Sequence, residues 1–257
     1  MKALLVISFG TTFNDTREKT IDSIEEDLSM AFPDRKFYRA WTSGFIRKKL
    51  LSRDGTKIDG LDEAFDRMKA DGVTDVLIQP THMIPGNEFN KIIDTADAHR
   101  CDFQVFKMGL PMLSSAYDLE EAAENLMSHF RGLRQDEGLV LMGHGTPTGD
   151  NSVYTDLENT FDELGYDRVF VGTVEAEPGL DDMVRKAQEA GLKRVILTPL
   201  LIVAGDHATN DMAGDEPDSW KSVFTEKGFQ VSCVVKGLGE YKDMRSILVR
   251  HAMEALK

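Results

Sequence analysis

Short apolar runs, each stopped by glycine or proline, recur along this chain and alternate with stretches of helical spacing. The run at 3–9 is apolar nearly throughout, as expected of a parallel strand buried on both faces. Runs at 36–41, 76–80, 102–108, 139–142, 170–174, 195–201 and 231–236 predict further strands. Between them, helices are expected at 16–30, 44–51, 60–70, 89–99, 119–131, 154–164, 180–190 and 241–256. In the first, Ile21, Ile24 and Leu28 have helical spacing, and Asn14 or Asp15 is a candidate cap. Asp71-Gly72 closes another, with glycine just past its end. The segment 206–212 reads as a polar loop able to line a cleft. Strands alternating with helices predict an α/β fold with parallel sheets.

The programme runs twice. Leu4–Thr12 aligns with Leu139–Pro147, at an offset of 145 − 10 = 135. Downstream, Gly60, Leu61, Asp62, Gly72, Pro80 and Gly86 align with Gly179, Leu180, Asp181, Gly191, Pro199 and Gly205, each pair offset by 119. The change of 135 − 119 = 16 fits extra sequence at 42–60 in the first half. Such self-similarity predicts two similar α/β lobes, 1–135 and 136–257, each a parallel sheet flanked by helices. They are expected to face each other across a cleft, with the closing helix 241–256 free to pack back on the first lobe.

Three strand ends carry metal-capable side chains. His144 stands between Gly143 and Gly145 at the end of one apolar run, and Glu175 and His207 follow two others. In open α/β sheets, strand ends of this kind are where ligands bind. Two imidazoles and a carboxylate suit one divalent transition ion and leave coordination positions open. The plain alternatives are a satisfied core histidine and solvated carboxylates. Glu175 sits nearer the strand end than Glu177, which is placed to cap the helix starting near Gly179. Asp206 or Asp211 is placed to hold His207. In the repeat, His144 replaces Phe9 (144 − 135) and His207 replaces Glu88 (207 − 119). Glu88 would then belong to the opposite wall, unless it is only a solvated loop carboxylate. His82 has no evident partner. His99, His129 and His251 lie in helices, where exposure and no role are expected, and Trp220 is expected in the core.

Composition narrows the setting. The chain has 257 residues, 41% hydrophobic and 29% charged, with a formal charge of −14. That acidity argues against a nucleic-acid partner, which usually requires a basic face. Against it, Arg47, Lys48, Lys49 and Arg53 form the densest basic cluster, either a solvated face or a docking point for an anionic ligand. Cys101 and Cys233 are far apart and make no disulfide or metal motif. No run approaches the roughly 18 apolar residues of a membrane helix. The opening run is too short for a signal peptide, so a cytoplasmic location is expected.

Four segments together resemble a known family. These are 3–12, Met142-Gly143-His144-Gly145-Thr146, Gly172-Thr173-Val174-Glu175, and Pro199-Leu200-Leu201 with 204–212. The chain is similar over essentially its whole length to the anaerobic-type sirohydrochlorin cobaltochelatases, class II chelatases with a ferrochelatase-like bilobal fold. The resemblance implies insertion of Co(II) into sirohydrochlorin in cobalamin biosynthesis, and Fe(II) insertion towards siroheme as a second activity. It implies His144, Glu175 and His207 as metal ligands, His144 also as proton acceptor, and Glu88 as a catalytic carboxylate. The metal would be a substrate, Co(II) with Fe(II), Ni(II) or Zn(II) also able to bind, and no permanently bound cofactor is expected. The partners would be the tetrapyrrole and the ion, with no nucleic acid or membrane; a homo-oligomer is compatible with this. Without the resemblance, the same residues equally suit a mononuclear zinc hydrolase or a non-catalytic metal or tetrapyrrole carrier.

Overall fold

The computed structural model describes residues Met1–Lys257. The chain forms two compact units, Met1–Ser114 with Gly239–Lys257, and Ser115–Leu238.

The first unit is built on four parallel strands in the order β2-β1-β3-β4. They are β1 (Lys2–Ser8), β2 (Lys36–Trp41), β3 (Asp75–Pro80) and β4 (Val105–Met108). After its first residue β1 is wholly buried, which explains its unbroken apolar sequence. Helices α1 (Asn14–Arg17) and α2 (Ser23–Ala31) join through a π-helical segment, Glu18–Asp22. Neither Asn14 nor Asp15 caps this helix, because the cap position falls on Phe13. Asn14 instead accepts a hydrogen bond from Arg53. Next come α3 (Gly44–Asp54), α4 (Leu61–Ala70) and α5 (Asn87–His99). Leu5, Ile7, Phe65, Met68, Val76, Ile78 and Ile92 form the core on one face of this sheet. Each such side chain contributes about 1.5–3 kcal/mol through loss of water contact.

The second unit repeats the sheet as β6-β5-β7-β8, again parallel. Its strands are β5 (Glu137–Gly143), β6 (Val169–Thr173), β7 (Arg194–Pro199) and β8 (Gln230–Cys233). Its helices are α6 (Ala116–His129), α7 (Ser152–Glu163), α8 (Leu180–Glu189) and α9 (Trp220–Glu226), with a π-helical turn at His207–Met212. That turn stands where a polar loop was expected. Trp220 is buried, in a core with Met183, Leu197 and Phe224.

The duplication extends to individual backbone bonds. Thr81 N–H donates to Ile7 O and Leu200 N–H to Met142 O, both at 2.8 Å. Gly86 N–H reaches Ile84 O as Gly205 N–H reaches Val203 O. β3 and β7 begin and end at residues offset by 119 (194 − 75 and 199 − 80).

The units do not divide at residue 136, where the sequence placed the boundary. Helix α6 packs on α7 and so belongs to the second unit. The closing helix α10 (Lys242–Ala255) packs on α2, β3 and β4 of the first. It is pinned there by an Arg245–Asp27 ion pair at 2.6 Å, both side chains mostly buried. His251, expected on an exposed face, is therefore 3% exposed, with Nδ1 3.1 Å from Leu110 O.

Candidate metal centre

The strand order of the second unit makes the ends of β6, β5 and β7 neighbours. His144 lies one residue past β5, Glu175 two past β6, and His207 opens the π-helical turn after β7. One ligand atom from each lies within 4.8 Å of the others. The imidazoles of His144 and His207 meet edge to face, with ring centres 4.7 Å apart and planes at 87°. His144 Nδ1 is 3.7 Å from Glu175 Oε2. All three side chains keep between 35% and 46% of their surface exposed, so an ion and its remaining ligands have access.

Both imidazoles are fixed by a neighbouring oxygen. His207 Nδ1 is 2.6 Å from Asp211 Oδ2, one helical turn on. A carboxylate only accepts, so this bond places the proton on Nδ1 and leaves the Nε2 lone pair for a metal. Of the two carboxylates expected for this task, Asp211 performs it, and Asp206 bonds Asn210 instead. His144 Nδ1 lies 2.7 Å from Gly145 O, which likewise assigns its lone pair to Nε2. Glu175 N–H donates to His144 O at 2.9 Å. Glu177 accepts from Gly179 N–H at 2.9 Å and so caps α8.

The loop carrying His144 is clamped by two residues that sequence reasoning gave no role. The Tyr154 hydroxyl accepts from Gly145 N–H at 3.2 Å. Asn151 Oδ1 accepts from Thr146 N–H at 3.0 Å, while its Nδ2 donates to Thr146 O at 2.8 Å. Burial raises the Tyr154 phenol, against backbone hydrogen bonds that lower it. Both flanking glycines are required. A Cβ on Gly143 would lie 2.3 Å from Tyr154 Cε1, and Gly145 has φ +74° with Thr173 packed against it. A glycine on each side of a histidine was thus the signal for a ring pressed against the backbone.

A cavity of about 710 Å³ opens beside Glu175 and Asp211, lined also by Glu177, Glu216, Asp218 and Trp220. Its negative lining favours cations. Glu88 lies in the first turn of α5, in the first unit, paired with Lys91. The basic cluster is divided: Arg47 pairs with Glu63 and Arg53 with Asp54, while Lys48 and Lys49 are exposed.

His82 follows β3 in the first unit. Both its ring nitrogens are buried without a hydrogen-bond partner. Burial pushes its imidazole down to about 4, partly opposed by the nearby Glu88 carboxylate.

The chain is similar to known proteins along nearly its whole length. The chain is 40% identical over 255 residues to the sirohydrochlorin cobaltochelatase of Salmonella typhimurium, covering 99% of this chain and 96% of that one. It is 33% identical over 258 residues to the sirohydrochlorin cobaltochelatase CbiKC of Nitratidesulfovibrio vulgaris, covering 99% and 90%. Among solved structures, the sirohydrochlorin chelatase SirB from Bacillus subtilis subspecies spizizenii, in complex with cobalt, has the same fold. It superimposes with a TM-score of 0.66 at 11% identity, over 99% of this chain and 95% of that one. The family model described as cobalt chelatase (CbiK) matches residues 2–257, and this chain belongs to that family.

Proposed function

We propose that this protein inserts Co(II) into sirohydrochlorin, giving cobalt-sirohydrochlorin for cobalamin biosynthesis, and that it also accepts Fe(II) towards siroheme. The observation that carries this is the convergence of His144, Glu175 and His207 at three adjacent strand ends. Relatives named for the same reaction along nearly the full chain support it. The ion is a substrate here, not a resident cofactor. Two nitrogens and one carboxylate oxygen hold it while leaving positions for pyrrole nitrogens.

Insertion also requires that two pyrrole N–H protons leave. His144 is the proposed acceptor, since a neutral imidazole is a suitable base near pH 7. With Nδ1 given to Gly145 O, its single lone pair serves the ion or a proton in turn, not both together. His207 and Glu175 complete the cradle, with Asp211 orienting His207. Glu88, at the repeat position of His207, guides the metal or relays protons. Two free thiols, Cys101 and Cys233, suit a cytoplasmic setting.

The test is a spectroscopic insertion assay. Loss of the free-base sirohydrochlorin spectrum is followed with Co(II), Fe(II), Ni(II) and Zn(II) in turn. Acceleration over the protein-free rate, greatest with Co(II), is expected. Tight binding of the macrocycle with no acceleration by any metal would instead identify a carrier.

A further inference from the structure

Asn151 stands at the N-cap position of α7, yet its side chain makes no cap bond there. Asparagine is among the preferred residues at such positions, because its side-chain oxygen ordinarily accepts a backbone N–H of the first turn. Here the side chain turns back into the loop after β5. Oδ1 accepts from Thr146 N–H at 3.0 Å, and Nδ2 donates to Thr146 O at 2.8 Å. With both ends of the carboxamide bound, its orientation is fixed. Capping of α7 therefore does not account for the asparagine.

The group it holds gives the alternative. Thr146 N–H and Gly145 C=O are the two ends of one planar peptide unit, so fixing the first sets the direction of the second. Gly145 O is the oxygen 2.7 Å from His144 Nδ1. Gly145 supplies the turn that this requires, with φ +74°. The preceding peptide unit is held separately, by Gly145 N–H donating to the Tyr154 hydroxyl at 3.2 Å. A carbonyl whose peptide N–H is already engaged is also a stronger acceptor, because hydrogen bonds in a chain polarise one another. All of these groups belong to the second unit.

We propose that Asn151 is a positioning residue: by holding the Gly145–Thr146 peptide it keeps the His144 proton on Nδ1 and the lone pair on Nε2. In a neutral imidazole, the nitrogen that has an acceptor keeps the proton, and the other is left for a ligand. No second acceptor replaces Gly145 O, since Glu175 Oε2 lies 3.7 Å from Nδ1, beyond hydrogen-bond reach. Without Asn151 the carbonyl is free to turn away. The ring then loses the bond that distinguishes its two nitrogens, and Nε2 carries the proton for part of the time. An Nε2 so protonated has no lone pair for the ion. The effect on turnover rests on the chelatase reading above; the effect on the imidazole does not.

The experiment uses the whole protein with Asn151→Ser and Asn151→Asp. Serine is an ordinary cap for α7, but its hydroxyl is one bond shorter than the carboxamide that spans to Thr146. Aspartate has the length of asparagine and still accepts from Thr146 N–H. Imidazole nitrogen chemical shifts of the metal-free protein are recorded at about pH 8, where an ordinary histidine is neutral. The His144 signals are those missing from His144→Ala. Melting temperature, Co(II) affinity and the Co(II) insertion rate are measured beside them. The parent and Asn151→Asp should both show His144 protonated on Nδ1. Asn151→Ser should melt close to the parent, show the proton shared between the two nitrogens, and bind Co(II) about 10-fold more weakly. Its kcat should fall about 10-fold while KM for sirohydrochlorin stays within about twofold. Parent-like shifts in Asn151→Ser overturn the proposal, as does the same loss in both variants. Unchanged Co(II) affinity in Asn151→Ser, with or without a lower melting temperature, identifies a brace for the loop alone and also overturns it. If the parent protein fails to accelerate insertion, the chelatase reading fails, while the nitrogen shifts and the Co(II) affinity still decide this inference.

Discussion

Glu175 is tied to His144 twice: its N–H donates to the His144 carbonyl at 2.9 Å, and its Oε2 lies 3.7 Å from His144 Nδ1. The first of these bonds has a counterpart in the other unit, where Ser43 N–H donates to Phe9 O at 3.2 Å. There Ser43 serves only as the cap of α3. The duplicated backbone thus holds three equivalent positions in each unit. The second unit fills them with His144, Glu175 and His207, the first with Phe9, Ser43 and Glu88. All three side chains differ between the units on a shared backbone scheme, and in the second unit Asp211 also orients His207.

The first prediction concerns the ion. Co(II) added to the protein should bind at His144, Glu175 and His207, at about 2.0–2.3 Å, the range for nitrogen and oxygen ligands. Asp211→Ala removes the group that fixes His207, and should weaken Co(II) binding about 10–100-fold. Titration followed by Co(II) visible absorption measures the affinity, and anomalous scattering locates the ion. Density at another site, with none here, contradicts the assignment.

The strands were legible because parallel strands buried on both faces must be nearly continuous apolar runs, as in 3–9 and 139–142. The grouping of His144, Glu175 and His207 was legible because each follows one of these apolar runs, and the repeat singles out His144 and His207 against Phe9 and Glu88. Less was legible where the pattern is polar. Residues 207–212 hold few apolar side chains yet wind into a helical turn that aims His207 and Asp211 together. Helix α9 is too short to show a period before its burial of Trp220 and Phe224 is known. The unit boundary depends on which neighbour α6 and α10 cover, a tertiary fact with no local signal. His251 looked exposed because one histidine on a helix does not disclose that its face meets β3 and β4.

Gly143 and Tyr154 should prove interdependent. Gly143→Ala sets a methyl carbon 2.3 Å from a ring that is 4% exposed and has nowhere to go. Overpacking of this kind costs about 1–3 kcal/mol. For a chain of this size that lowers the melting temperature by roughly 2–4 °C per kcal/mol. Tyr154→Phe keeps the ring but leaves Gly145 N–H buried and unpaired, at a cost of about 1–3 kcal/mol. Calorimetry checks both. Neither variant should alter far-ultraviolet circular dichroism, since neither strand nor helix is broken.

His82 should impose a distinctive pH dependence on stability. Its imidazole is pushed from the usual 6.5 to about 4 in the fold. Between those values the unfolded chain takes up a proton that the folded chain does not. Stability therefore falls as pH drops through this window, and is unaffected by this group above it. The integrated loss is about 3 kcal/mol, from a shift of about 2.5 units. Urea unfolding of the parent and of His82→Leu at pH 7, 6, 5 and 4 isolates the effect as the difference between the two curves. Parallel curves would show that the imidazole titrates alike in both states.

The roles of the two metal-centre histidines should separate under saturation. His144 is framed by Gly143 and Gly145, and its loop is clamped by Tyr154 and Asn151. That combination fixes the backbone while leaving the imidazole 46% exposed to an approaching flat ligand. His207 is instead braced by Asp211, an arrangement that strengthens a ligand rather than freeing a base. His207→Ala should therefore chiefly weaken metal use, and excess Co(II) should recover much of the rate. His144→Ala loses a ligand and the acceptor together. Excess Co(II) can restore occupancy but not proton removal, so turnover should stay depressed by about 100-fold or more. Sirohydrochlorin binding, read by fluorescence quenching, should change little in either variant. The comparison is the insertion rate of both at saturating metal and saturating sirohydrochlorin. Near-parent turnover by His144→Ala, with His207→Ala still slow, would reverse the two assignments.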